Sequence, residues 1–215
     1  MSLKPYYDED GITIFHGDCR EIAQFVQSDV VVTDPPYGIG MVAFNDSFIV
    51  GAEGFDVCLG QRAAVFHSPR RMLEFVNSVT TWGFERLLWM HKSADLAHPW
   101  HGWHMNSEAI GVFSRDAGEW PAPTTTTTDM YSVGPWERAG HPNGKPLWVV
   151  TDLILKLSHP TDTVIDPFCG SGTTLRAAKD LGRKAIGIEI EERYCEIAAL
   201  RCSQEVLGLG DDHAA

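Results

Sequence analysis

The chain has 215 residues, 44% of them hydrophobic, which suits one α/β domain with a sizeable core and excludes global disorder. No apolar run approaches the ~18 residues of a membrane span, and Met1 to Tyr7 lack the apolar core of a signal peptide, so a soluble, cytoplasmic protein is expected. The formal net charge of −12 opposes phosphate contact over the whole surface, but residues 60–150 carry eight basic and eight acidic side chains, all seven tryptophans and six of the nine histidines.

Residues 11–16 alternate as a short strand, Gly17-Asp18 turns, and 19–27 read as helix with Ile22, Phe25 and Val26 on one face. The apolar run Asp29 to Thr33 predicts a strand buried on both faces of a parallel sheet. The prolines of Asp34-Pro35-Pro36-Tyr37 end it. Residues 38–54, rich in glycine and small side chains, read as a mobile loop. Strands at 63–66 and 87–90 flank a helix near 69–80, and 107–114 reads as another strand. Residues 116–146, with the run Thr124 to Thr128, read as irregular. Helical periodicity returns from Pro146 to Leu157, with Leu147, Val150, Ile154 and Leu157 on one stripe. A strand at 163–165, a helix at 174–181, a strand at 185–188 and a helix at 191–206 complete the chain. Five cysteines without a C-x-x-C pair predict neither a disulfide framework nor a zinc cluster; Cys195 and Cys202, seven apart on the last helix, read as buried thiols. Strands alternating with helices predict a doubly wound, mostly parallel sheet in a single domain.

Two segments carry chemistry. Asp166-Pro167-Phe168-Cys169-Gly170-Ser171-Gly172-Thr173 follows an apolar strand and opens a helix. Glycines there let a ligand approach the backbone closely. Glu189 ends the next strand, seventeen residues beyond Gly172, and a carboxylate so placed can accept from both ribose hydroxyls. Leu175 stands where a dinucleotide fingerprint wants its third glycine, and no Gly-Lys-Ser/Thr is present. Adenosine with an uncharged or zwitterionic tail fits this turn better than a pyrophosphate.

The second segment is Asp34-Pro35-Pro36-Tyr37, at the strand edge where α/β enzymes do chemistry. An aromatic amine is a poor nucleophile, because its lone pair is delocalised into the ring. A carboxylate and a backbone carbonyl accepting its two N–H bonds draw the nitrogen toward sp³. Tyr37 can stack on a base swung out of the helix. With a sulfonium methyl donor, in-line transfer needs positioning more than a strong base.

Together these motifs resemble the S-adenosylmethionine-dependent amino methyltransferases of DNA, specifically their permuted β group, in which the Asp-Pro-Pro-Tyr motif precedes the glycine motif. Gly17-Asp18-Cys19 and His141-Pro142-Asn143-Gly144-Lys145-Pro146 match two further family segments. Trp89 to Lys92 and Glu108 to Phe113 match more loosely. The resemblance implies a Rossmann-like methyltransferase domain over 1–215 with a short target-recognition insert at 114–140, S-adenosylmethionine as cofactor and DNA as partner. It implies that Asp34 and the Pro35 carbonyl hold the amine, with Pro36 and Tyr37 completing the catalytic tetrad. It also implies that Asp18, Asp34, His141, Lys145, Asp166, Phe168, Cys169, Gly170, Ser171, Gly172 and Thr173 line the cofactor pocket, and that Glu189 binds the ribose. Aspartate first in the tetrad points to adenine N6, where serine would suggest cytosine N4.

The insert is shorter than is usual in the family. That implies a very short target, low specificity, or recognition shared with a second subunit, as in a homodimer. The alternatives are the same chemistry on cytosine N4 or on RNA, and an inactive nucleic-acid-binding module. Glutamine methylation is disfavoured by Asp34, and a nicotinamide-dependent reductase by Leu175.

Overall fold

The computed structural model describes residues 3–38, 48–92, 99–100, 103–104, 106–115, 120–121, 128–134 and 144–204. In chain order the strands are β1 (Tyr7–Glu9), β2 (Ile12–His16), β3 (Val30–Thr33), β4 (Arg62–His67), β5 (Gly83–Lys92), β6 (Pro99–Trp100), β7 (Trp103–His104), β8 (Ser107–Ser114), β9 (Met130–Val133), β10 (Thr163–Asp166) and β11 (Lys184–Glu189). The helices are α1 (Cys19–Ile22, continued by a 3-10 turn at Ala23–Phe25), α2 (Phe48–Asp56), α3 (Met72–Ser78), α4 (Leu147–Leu157), α5 (Thr173–Asp180) and α6 (Glu192–Ser203).

Four consecutive buried residues in β3 have no polar face to turn to solvent, so β3 needs strands on both edges and helices on both faces. It has both. The main sheet runs β1-β2-β11-β10-β3-β4-β8-β5-β9, with β2, β11, β10, β3 and β4 mutually parallel. β1 and β8 run antiparallel to their neighbours. Successive β3 side chains point into opposite cores. Val30 and Val32 join Val149, Leu153, Leu175 and Ala198 under α4, α5 and α6. Val31 joins Ile22, Phe55, Met72 and Phe75 under α1, α2 and α3. The sheet is doubly wound, as the alternation of strand and helix implies.

The chain leaves β10 through α5 toward β11, and leaves β3 through α2 toward β4. Because β10 and β3 are neighbours, the winding reverses between them. In open α/β sheets, ligands bind outside the carboxyl ends of the strands at such a reversal.

The sequence reading differs from the structure in four places. The stretch read as a mobile loop contains α2, while 39–47 lie outside the described residues. Gly51 and Gly54 lower helix propensity, yet both sit at tight contacts: a Cβ on Gly51 would stand 2.6 Å from the Pro36 carbonyl oxygen, and one on Gly54 2.6 Å from Cζ of Phe168. Phe25 is 68% exposed rather than on the buried face of Ile22 and Val26, because the helix tightens to 3-10 geometry there and rotates it outward. The stretch read as irregular contributes β9, whose alternating exposed and buried side chains pair in parallel with β5; the Thr124–Thr127 part of the threonine run lies outside the described residues. β1, three residues with no apolar repeat, is added at the opposite edge. No helix among the described residues is long and apolar enough to cross a membrane.

Phe55 is the aromatic centre of the second core, stacked on Trp82 at 4.9 Å and packed against Phe75 and Phe113. Phe55→Ala is expected to cost about 3–5 kcal/mol, read as a lower denaturation midpoint in urea. A loss below about 1 kcal/mol would mean that α2 is not anchored by this cluster.

Candidate active site

Four parallel strands, β2, β11, β10 and β3, end side by side and deliver the site in order. Asp18 follows β2, Glu189 ends β11, the glycine loop follows β10, and the tetrad follows β3. His16 of β2 is in register with Glu189, and Asp166 of β10 with Gly187.

In the glycine loop, Gly170 and Gly172 have φ of +48° and +78°. That is the left-handed region, where L side chains are strained. A Cβ on Gly172 would also come within 2.9 Å of Ala198 Cβ, so the same glycine admits α6 beneath the loop. The Gly170 N–H donates to Glu189 Oε2 at 2.9 Å and the Glu191 N–H to Oε1 at 2.8 Å. Each carboxylate oxygen keeps lone-pair capacity for a further donor such as a ribose hydroxyl. Burial raises the Glu189 carboxyl above the ordinary range, and these amide bonds oppose the rise. Phe168 is half-buried beside Gly54. Thr173 accepts from Arg201 Nη1 at 2.9 Å, and Ser171 is buried. The Cys169 side chain points into the core near Leu175 and Gly187, and burial pushes its thiol well up. Asp18 caps α1 through the Arg20 N–H at 2.9 Å and pairs with the Arg20 guanidinium at 2.6 Å, which holds its carboxyl below the usual range.

The two loops are tied together below the surface. The Thr33 hydroxyl donates to Asp166 Oδ1 at 2.7 Å, and the Phe168 N–H donates to the same oxygen at 3.1 Å. Asp166 is buried, and burial, opposed by the bonds from Thr33 and Thr174, pushes its pKa up to about 6. It joins the two loops from beneath, through Thr33 on one side and Phe168 on the other.

Above this clamp lies the tetrad. Asp34 accepts from Lys145 Nζ at 2.5 Å and from the Tyr37 hydroxyl. Lys145 is buried, 3.3 Å from the Tyr37 oxygen and 3.2 Å from Glu108 Oε2. Glu108 in turn accepts from Lys92. Four charges of alternating sign thus run from β5 through β8 and the entry to α4 to the end of β3. Burial raises Asp34 and Glu108 repels it in the same direction, while Lys145 pulls it down; the net is above the ordinary aspartate range. For Glu108, burial is outweighed by Lys145 and Lys92, and the net is downward. For Lys145, the two carboxylates outweigh burial and hold it cationic. The Tyr37 ring lies 4.8 Å from the ring of His67, which packs equally closely on Phe75.

The structure therefore gathers Asp34 to Tyr37, Lys145, Phe168 to Thr173 and Glu189 at one sheet edge, with Asp18 two strands away from the glycine loop. Lys145 contacts Asp34 and Tyr37 directly. His141 lies outside the described residues. Lys92, Glu108 and His67 escaped the reading of the sequence as site residues. The first two fell in its looser matches, and the signal was a lone charge at the end of an apolar strand, where burial without a partner is costly.

Parallel strands reversing their winding over a glycine loop and a rigid Asp-Pro-Pro-Tyr loop define a Rossmann-like methyltransferase. A family model described as DNA methylase, of the N6/N4 amino type, matches residues 61–200, and the chain belongs to that family. The Type II methyltransferase M2.LlaDCHI of Lactococcus lactis subsp. cremoris is 31% identical over 95% of this chain and 94% of its own length. M2.MboI of Moraxella bovis is 24% identical over 94% and 92%. Among solved structures, M1.HpyAVI in complex with S-adenosylmethionine superimposes with a TM-score of 0.74 at 24% identity, covering 90% of this chain and all of that one. The cytosine-N4-specific PvuII methyltransferase superimposes at 0.76 with 18% identity, covering 95% and 90%. At these identities the two structures speak for the fold alone.

Two outcomes are expected from this geometry. Thr33→Val leaves the buried Asp166 short of a donor and should cost about 1–3 kcal/mol of stability in urea melts near neutral pH, where Asp166 is ionised. The loss should shrink as pH falls through about 6, where protonation removes the need for the bond. Lys145→Met removes the charge that pulls the Asp34 carboxyl down against its burial. The acid limb of the pH–rate profile should move to higher pH and kcat at neutral pH fall about tenfold or more, with cofactor affinity little changed. A tenfold loss of cofactor affinity with an unmoved limb would place Lys145 in the cofactor pocket instead.

Proposed function

We propose that this methyltransferase acts on the N6 amino group of adenine in DNA, with S-adenosylmethionine as methyl donor. The observation that carries the reading is Asp34, partly buried and paired with Lys145 at 2.5 Å, at a strand end adjoining the glycine loop. The residues present suit the donor. Glycines permit close approach, Glu189 offers two oxygens to a ribose diol, and no lysine in the loop invites a pyrophosphate. Bound there, S-adenosylmethionine supplies an electrophilic methyl group on a sulfonium.

The protein's own part is positioning. Phe168, Gly170, Ser171, Gly172 and Thr173 form the floor under the donor, with Asp18, the Cys169 backbone and His141 at its sides. An entering amine takes the Asp34 oxygen that Tyr37 holds and gives its second N–H to the Pro35 carbonyl. The nitrogen lone pair is then freed from the ring, and Tyr37 stacks on the flipped base. Pro36 fixes the carbonyl's direction through its own restricted φ and its effect on Pro35. Aspartate at position 34 favours adenine over cytosine. Of the segment 114–140, the part outside β8 and β9 reads as the recognition insert, with a second copy of the chain sharing recognition of the target in the cytoplasm.

Methylating unmethylated DNA with labelled donor and digesting it to nucleosides should yield N6-methyladenine; N4-methylcytosine would overturn the choice of base. Asp34→Ala should bind S-adenosylmethionine normally in calorimetry and lose about a thousandfold in kcat, and full activity would refute its role. Glu189→Ala should weaken that binding at least about tenfold, since two hydrogen bonds to a charged group are lost; an unchanged dissociation constant would count against the ribose contact. DNA binding should be weak, as the net charge of −12 implies, and tight binding in high salt would contradict this.

A further inference from the structure

Lys145 serves two carboxylates. Its ammonium stands 2.5 Å from Asp34 and 3.2 Å from Glu108, and Glu108 is in turn held by Lys92. A cation shared by two anions is less available to each, and a second cation on one anion frees more of the first for the other. We propose that Glu108 and Lys92 are positioning residues for methyl transfer. Neither touches the amine; together they set how strongly Lys145 holds the Asp34 carboxylate ionised and aimed at its substrate.

Each member comes from a different element: Lys92 from the end of β5, Glu108 from β8, Lys145 from the approach to α4, and Asp34 from the end of β3. Position is set by the sheet. Met90 and Glu108 are directly opposed across the antiparallel β5–β8 ladder, and the Lys92 N–H bonds the Asn106 carbonyl at 2.7 Å. The side chains of Lys92, Glu108 and Lys145 are 18%, 14% and 7% exposed, so solvent screens the line weakly. Among the described residues, the other groups facing Asp34 are the Tyr37 hydroxyl and, from β10, Asp166, whose ties to Thr33 and Phe168 do not involve Lys145.

The signs follow from charge alone. Asp34 must be ionised to accept the amine, so the rate falls as pH drops through its titration. Neutralising Glu108 leaves Lys145 to Asp34 alone and favours the carboxylate, moving the acid limb to lower pH. Removing Lys92 leaves Glu108 to draw Lys145 away and moves the limb to higher pH.

The proposal rests on the reading of Asp34 as acceptor of the target amine, and the test separates the two. Single-turnover methyl transfer by the full chain, with saturating DNA and S-adenosylmethionine, is followed across pH for the wild type, Glu108→Gln, Lys92→Met, the double variant and Asp34→Asn. Circular dichroism checks folding. The two single variants should shift the limb in opposite directions by about one pH unit each. The double variant should match Glu108→Gln, since Lys92 acts through Glu108. Lys92→Met with the double variant tests the same coupling should Glu108→Gln fold poorly. Shifts in the same direction, an unmoved limb in folded variants, or additive effects in the double variant would overturn the proposal. Wild-type activity in Asp34→Asn would instead sink the reading of Asp34.

Discussion

The parallel pairing of β3 with β10 governs everything built above it. Val30 and Val31 lie in register with Val164 and Ile165, so the two strands end together and their loops leave from adjoining points on one edge. Thr33 and Asp166 then join the loops by a buried hydrogen bond. A proline-stiffened segment and a glycine-loosened one, joined by residues 133 positions apart in the chain, become one site because two apolar strands pair side by side. The winding reverses between them, which is where open α/β sheets take their ligands.

Above that clamp, electrostatics decides what Asp34 can do. Burial favours the neutral acid, which would be a poor acceptor for an amine N–H. Lys145 opposes this at 2.5 Å, and its own burial is made tolerable by two carboxylates. Removing Lys145 would leave two carboxylates facing each other without it, which costs more than the intact pairs contribute. The arrangement therefore holds the side chain in a defined direction as well as in a defined charge state. In-line transfer to a sulfonium methyl demands that kind of direction.

Some elements were legible because their physics is local. The run Val30 to Thr33 could only be a buried strand, and the stripe on 147–157 could only be an amphipathic helix; both stand where periodicity put them. Gly172 announced a turn, although its second reason, room for Ala198, needed α6 in place. α2 was missed because Gly51 and Gly54 argue against helix locally, while the packing that requires them, against Pro36 and Phe168, comes from distant segments. β9 was hidden by the threonines before it. Phe25 went astray because one turn of 3-10 geometry alters which face a residue occupies.

For the candidate site, the residue types carried the chemistry. Asp34-Pro35-Pro36-Tyr37, the glycine loop and Glu189 are short-range patterns whose meaning depends on neighbours in the chain, and they could be read before any fold was known. Partnership could not. That Lys145 reaches Asp34, that Glu108 shares it, and that Asp166 ties the loops from below follow from strand order and register, which no local pattern contains. Identity of the chemical groups is written in the sequence; which charge neutralises which is decided only when the sheet brings residues a hundred positions apart within bonding distance and excludes the water that would otherwise make their pairing indifferent.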